Sequence, residues 1–333
     1  TKKATHPEQE QIQEAYESIQ QLKNEISKVV IWQENLINNM IIALLSHGHI
    51  ILEWAPWLAK TLSIQSLAKT LHLSFSRIQF TPDLLPSDLT WSQIYNHKTH
   101  EFTTNKWPLF ANFVLADEIN RAPSKVQSAL LEAMEERQVT IGNETFWLDE
   151  PFVVLATQNP LEQEWTYSLP EAQMDRFLMK TIIDYPTPDQ EIEIMKWSSH
   201  EWLANLKKVI SKKKLKEIMD ISQTIFVSDS IYKYVRDIVF ATRYTAHYWF
   251  DQLQEHISYW ASPRASKALI KCAKVQALLQ WRGYVLPEDI KAIAYDVLRH
   301  RLLLTYEAIA QGVDVEECIQ TILNETTILQ GDE

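Results

Sequence analysis

Apolar residues recur three or four positions apart between residues 7 and 29, at Ile12, Ala15, Tyr16, Ile19, Leu22 and Ile26, and this spacing predicts an amphipathic helix. A second helical stretch over 33–45 leads into His49-Ile-Ile-Leu-Glu53, which reads as a short buried strand; a turn at Pro56 and a helix over about 60–71 follow. Further short apolar runs at 76–80, 113–117 and 152–157 each open into a polar loop, with helical patterns such as 124–136 between them. Strands and helices alternating in this way predict an α/β fold, a parallel sheet flanked by helices. Between the last two runs, residues 138–148 carry β-branched and aromatic positions on either side of Gly142-Asn143, the signal of a hairpin inserted on that core.

Pro186 and Pro188 interrupt the chain just after a last predicted strand at 181–183, and we place a domain boundary there. Residues 1–186 then form the α/β core with its N-terminal helix and hairpin. Residues 187–333 form an all-helical domain, with segments near 192–206, 215–221, 228–245, 264–281 and 287–304.

Composition narrows the function. At 333 residues and 46% hydrophobic, the chain has apolar surface for two cores. A net charge of -11 with no basic stripe argues against nucleic-acid partners and favours proteins or small ligands. Cys272 and Cys318 lack the spacing of a metal or redox site, which suits a reducing cytoplasm. The lack of a long apolar run and the polar N-terminal stretch predict neither a membrane span nor export. The chain holds 5 glycines beside 12 tryptophans, where ordinary chains carry roughly 7% glycine. That scarcity matters wherever a ligand needs a left-handed turn or close backbone approach.

One such place is Trp54-Ala55-Pro56-Trp57-Leu58-Ala59-Lys60-Thr61-Leu62, which follows a strand and opens a helix, the context of a phosphate-binding loop. Lys60 suits β- and γ-phosphate charge and the Thr61 hydroxyl suits magnesium. The glycines of the G-x-x-x-x-G-K-[ST] pattern are absent, and taken alone the stretch also suits an ordinary helix start. Farther on, an apolar strand ends in Asp117 and Glu118. Because side chains alternate along a strand, Asp117 can hold a metal while Glu118 polarises a water; a solvated pair closing a buried strand is the plainer alternative. The 152–157 run delivers Gln158 and Asn159 to the same edge, where an amide can orient a water, although Asn159-Pro160 also suits a turn. Arg176 could serve the γ-phosphate of a neighbouring subunit or form a surface ion pair.

The residues from His47 to Pro186 resemble the MoxR-like AAA+ ATPases. The blocks that carry the resemblance are Arg77-Ile-Gln-Phe-Thr-Pro-Asp-Leu-Leu-Pro-Ser-Asp88, Ala116-Asp-Glu-Ile-Asn-Arg-Ala-Pro123, Gln127 to Ile141, Ala156-Thr-Gln-Asn-Pro160 and Leu169-Pro-Glu-Ala-Gln-Met-Asp-Arg-Phe177. Ala261-Ser-Pro-Arg-Ala-Ser266 and Tyr284-Val-Leu-Pro-Glu-Asp-Ile290 extend it into the helical part. The resemblance implies a five-stranded P-loop core with a helical lid, ATP and Mg2+ between them, and a ring, usually a hexamer. It implies chaperone-like remodelling or cofactor insertion in client proteins, often with a partner carrying a von Willebrand factor A domain. Position by position, Lys60 and Thr61 resemble the Walker A pair, Asp117 and Glu118 Walker B, Asn159 sensor 1, Arg176 the arginine finger and Arg264 sensor 2.

The chain departs from that pattern in one repeated way. Tryptophan stands where the family has glycine at Trp32, Trp54, Trp57, Trp91, Trp107, Trp165 and Trp260. Two of these lie in the phosphate loop, where a left-handed non-glycine residue costs roughly 1 to 2 kcal/mol and an indole needs room. The expectation is weakened or abolished nucleotide binding. The rival reading is a non-catalytic scaffold that keeps the AAA+ fold.

Overall fold

Five of the apolar runs become strands of one sheet. The structure is a computed structural model that describes residues 8–30, 33–54, 59–96, 101–106, 108–141, 144–158, 167–183, 186–196, 203, 205–243 and 251–326. In chain order the strands are β1 (Ile50–Trp54), β2 (Phe75–Gln79), β3 (Trp91–Asn96), β4 (Glu101–Lys106), β5 (Phe113–Asp117), β6 (Gln138–Ile141), β7 (Glu144–Trp147), β8 (Val153–Gln158) and β9 (Met179–Ile183). The sheet runs β2-β5-β8-β1-β9. Its β2–β5, β5–β8 and β1–β8 ladders are parallel, aligning Gln79 with Asp117, Ala116 with Ala156 and Glu53 with Gln158. Every residue of β5 is buried, as a central strand covered on both faces requires. The carboxyl ends of β2, β5 and β8 therefore meet at one edge.

Helices α1 (Gln9–Ile26), α2 (Glu34–Leu45), α3 (Ala59–Thr70) and α5 (Ser124–Glu136) lie within a few residues of their predicted spans; α4 (Pro86–Thr90), α6 (Glu171–Met174) and α7 (Pro188–Lys196) complete this part. β6 and β7 pair antiparallel as the hairpin signal predicts, while Gly142-Asn143 itself lies outside the described residues. A second hairpin, β3–β4, pairs Trp91 with Lys106 through Asn96 with Glu101. Its strands, Trp-Ser-Gln-Ile-Tyr-Asn and Glu-Phe-Thr-Thr-Asn-Lys, lack clean alternation, so periodicity does not announce it.

The remaining helices are α8 (Lys212–Thr224), α9 (Asp229–Arg243), α10 (Asp251–His256), α11 (Pro263–Leu279), α12 (Pro287–Leu298), α13 (Tyr306–Ala310) and α14 (Val315–Glu325). The helix predicted over 287–304 stops at Leu298; Leu303–Leu304 instead pairs antiparallel with Ile257–Tyr259. Ser262 caps α11 by accepting the Arg264 N–H at 3.0 Å, and Pro263 fills the first helical position. At its other end Trp281 is left-handed, with φ 56. Its N–H donates to Leu278 O at 3.0 Å and the Arg282 N–H to Ala277 O at 2.9 Å, the two bonds of a Schellman cap. The next turn is tight: a Cβ on Gly283 would meet Ile12 Cδ1 at 2.7 Å. Asp289 then accepts the Leu286 N–H at 2.7 Å and both arms of Arg282 at 2.7 and 2.5 Å.

The chain forms two compact units. One comprises Gln21–Arg176 with Thr181–Leu215, the other Thr1–Gln20, Phe177–Lys180 and Lys216–Glu333. Among the described residues no helix is long and apolar enough to cross a membrane.

Candidate functional site

Asp117 ends β5 with its side chain buried, at 2% exposure. Lys60, in the first turn of α3, forms a salt bridge with Oδ1, and Thr157 Oγ1 donates to the same oxygen at 2.7 Å. Arg77 on β2 donates to Oδ2 through Nε at 3.1 Å and Nη2 at 2.5 Å. Burial pushes the Asp117 carboxyl up, but donation from Lys60, Thr157 and Arg77 outweighs it and holds the group below its usual range. Asp117 is therefore anionic at neutral pH, the state in which a carboxylate binds a cation.

Glu118 follows in a left-handed conformation, φ 56, and its N–H donates to Thr157 Oγ1 at 2.8 Å. Gln79 Nε2 and Arg121 Nη1 donate to its Oε2 at 2.7 and 3.0 Å. Arg77 Nη2 also donates to Gln79 Oε1 at 3.1 Å, which ties the two carboxylate clusters together. Thr157, at the end of β8, thus acts as donor to one carboxylate residue and acceptor for the other.

Arg77, Gln79, Arg121 and Thr157 were not singled out by sequence reasoning. One signal was available: Arg77 and Gln79 lie two apart on a strand and so share a face. That this face meets Asp117 depends on the β2–β5 register.

The other sequence-derived site residues fall as follows. Trp54 ends β1, while Ala55, Pro56, Trp57 and Leu58 lie outside the described residues. Ala59 opens α3, Thr61 is half-buried in its first turn, and Leu62 is buried in the core. Asn159 also lies outside the described residues, and Gln158 Nε2 reaches Met174 Sδ at 3.7 Å. Arg176 belongs to a separate cluster, ion-paired with Glu135 beside a cavity of about 330 Å³ that Glu132, Glu136 and Gln173 help to line. Arg264 is exposed at the start of α11, in the unit that holds the later helices.

The chemistry of this donor set suits a magnesium nucleotide. A carboxylate and an alcohol are hard oxygen ligands of the kind Mg2+ takes while retaining substrate phosphates and waters, and a lysine ammonium is a compact partner for phosphate.

Residues 49–179 match the family described as "ATPase family associated with various cellular activities (AAA)", and residues 253–322 match the AAA lid domain. The chain is 44% identical over 306 residues to "Chaperone MoxR1" of Mycobacterium tuberculosis, covering 92% of this chain and 81% of that one. It is 42% identical over 301 residues to "Uncharacterized protein YeaC" of Bacillus subtilis, covering 90% and 91%. The crystal structure of a presumptive ATPase of Cytophaga hutchinsonii superposes with a TM-score of 0.92 at 48% identity, covering 96% of this chain and 98% of that one. With its five-stranded sheet, lid and carboxylate-bearing sheet edge, the chain belongs to the MoxR family of AAA+ ATPases.

Proposed function

We propose that this chain binds ATP with Mg2+ at the sheet edge marked by Lys60, Thr61, Asp117 and Glu118, and couples hydrolysis to chaperone-like remodelling of, or cofactor insertion into, a client protein. The observation that carries the reading is the convergence of Lys60, Thr157 and Arg77 on the buried Asp117 carboxylate, with Glu118 beside it. Lys60 binds phosphate oxygens, and Thr61 with Asp117 holds the metal. The metal, when bound, neutralises charge that develops on the transferred phosphoryl group. Glu118 accepts the proton of the attacking water, and Asn159 orients that water. Arg176 acts across a subunit boundary in a hexameric ring, and Arg264 serves the nucleotide from the lid. A partner with a von Willebrand factor A domain and a cytoplasmic setting complete the proposal; nucleic acid is excluded on charge.

Trp54 and Trp57 favour a second reading, a scaffold of the same fold in which nucleotide affinity is lost. Calorimetry with ATP and Mg2+, comparing this chain with the W54G/W57G variant, separates the two. Micromolar binding by the chain itself supports the ATPase. Binding by the glycine variant alone makes the chain with tryptophan at these two positions a silent family member.

A further inference from the structure

Three consecutive side chains just after α12 are turned onto one short backbone segment. Arg299 Nη1 donates to Lys180 O at 2.9 Å, and His300 Nε2 pairs with Phe177 O at 3.2 Å. Arg301 donates to Phe177 O through Nη2 at 2.6 Å, to Leu178 O through Nη1 at 3.1 Å, and to Val297 O. His300 is 6% exposed and Arg301 4%. A guanidinium is rarely buried so completely, and its rigid fork fixes two successive carbonyls at once. The clasped segment, Phe177–Lys180, belongs to the same compact unit as the clasp. It begins at the peptide bond after Arg176, whose side chain is one-third exposed while Phe177 is fully buried.

We infer that Arg301, supported by His300 and Arg299, is a positioning residue for Arg176: by fixing the Phe177 and Leu178 carbonyls it sets where the Arg176 guanidinium can reach. The inference rests on the proposed role of Arg176 at a neighbouring γ-phosphate. An arginine in that role contributes on the order of 10³ to 10⁵ in turnover, and a displacement of about 1 Å costs on the order of 100-fold. Loosening the clasp therefore removes about two decades of turnover and leaves ATP affinity in place.

Two measurements on the full chain test it. R301K keeps the charge but not the fork, and R301M is a second variant in case lysine restores the bonds. In both, tryptic cleavage of the Arg176–Phe177 bond, scored against cleavage at exposed Arg236, is expected to accelerate at least tenfold. In the W54G/W57G background, the kcat for ATP is expected to fall about 100-fold with KM unchanged. Cleavage at the wild-type rate in both variants, or wild-type turnover in both beside a crippled R176A, overturns the inference alone. Wild-type turnover in R176A, or none in W54G/W57G itself, overturns the reading of Arg176 or of the ATPase and the inference with it.

A different observation carries a second inference. Trp281 holds φ 56 at the residue where a Schellman cap favours glycine, a conformation that is a genuine outlier for a bulky side chain. Trp54 and Trp57 stand where a phosphate loop needs glycine, in a chain with 5 glycines and 12 tryptophans. We propose that all three positions are glycine in the protein as its cell makes it, through one codon that the organism decodes as glycine. UGA is the candidate, because genetic codes differ in its meaning. The gene should then carry that same codon at positions 54, 57 and 281, and peptides of the natively expressed protein should have a hydrogen in place of the indolylmethyl group at each and be lighter by that difference. Native peptides that retain tryptophan there overturn the proposal.

Discussion

Replacing Thr157 with valine tests the cluster around Asp117 most directly. The two side chains have nearly the same shape, so the change removes a hydroxyl without opening a cavity. That hydroxyl donates to Asp117 Oδ1 at 2.7 Å and accepts the Glu118 N–H at 2.8 Å, at a side chain 2% exposed. Losing a hydrogen bond to a charged group costs about 1.5–3 kcal/mol, and leaving a buried N–H unpaired costs about 1–3 kcal/mol. We expect a total near 4 kcal/mol, which for a unit of this size lowers the melting temperature by about 10 °C in scanning calorimetry. Thr157→Ser, which keeps the hydroxyl, should lose much less. The gap also has a pH signature. Asp117 is held below its ordinary 3.8 once folded, so its contribution is present above that value and is lost as pH falls through the folded pKa. Without Thr157 the depression is smaller, and the difference between variant and wild type should narrow below about pH 4. A T157V melting temperature within about 2 °C of wild type would refute the argument.

His49 predicts a separate acid response. Its Nδ1 accepts the Val154 N–H at 3.0 Å and its Nε2 contacts Met134 O at 3.2 Å. Burial pushes the imidazole down to about 4; the Met134 bond opposes this and Arg137 adds to it. Between pH 6.5 and 4 the unfolded chain takes a proton that the folded one refuses, so stability should fall by about 3 kcal/mol as pH drops through that window. His49→Gln should flatten that slope, and an unchanged slope in urea titrations would count against it. In the lid, Asp289→Asn removes the charge that Arg282 pairs with and one of the two oxygens that Arg282 and the Leu286 N–H share, at a cost of about 2–4 kcal/mol after allowing for Arg282's partial exposure. A urea midpoint unmoved by that change would contradict the reading. In the W54G/W57G background, Glu118→Gln should retain ATP binding and cut hydrolysis by about 10² to 10⁴; equal turnover would remove Glu118 from its proposed role.

Local signals located the elements well. A period near 3.6 marks α1, α2 and α5, and short apolar runs mark β1, β5 and β8, because these segments bury a face or a whole strand. Asp117 and Glu118 are legible as the carboxylates that end such a run, although the run alone equally suits a solvated pair closing a buried strand. The β3–β4 hairpin escaped notice because its strands mix polar and apolar residues without alternation. The early end of α12 escaped because Arg299, His300 and Arg301 continue a helical composition while their side chains are spent on the carbonyls of a segment about 120 residues earlier.

By itself, then, the sequence determined the α/β core, the helical remainder and Lys60, Asp117 and Glu118 as candidates for one site, and its ordered blocks determined the family. The tertiary structure alone decided the strand order that sets β5 between β2 and β8. That order turns Arg77, Gln79 and Thr157 into the ligands of Asp117 and Glu118. Periodicity reports which face of a segment is buried. It cannot report which segment lies alongside, because strand pairing is a contact between residues dozens of positions apart.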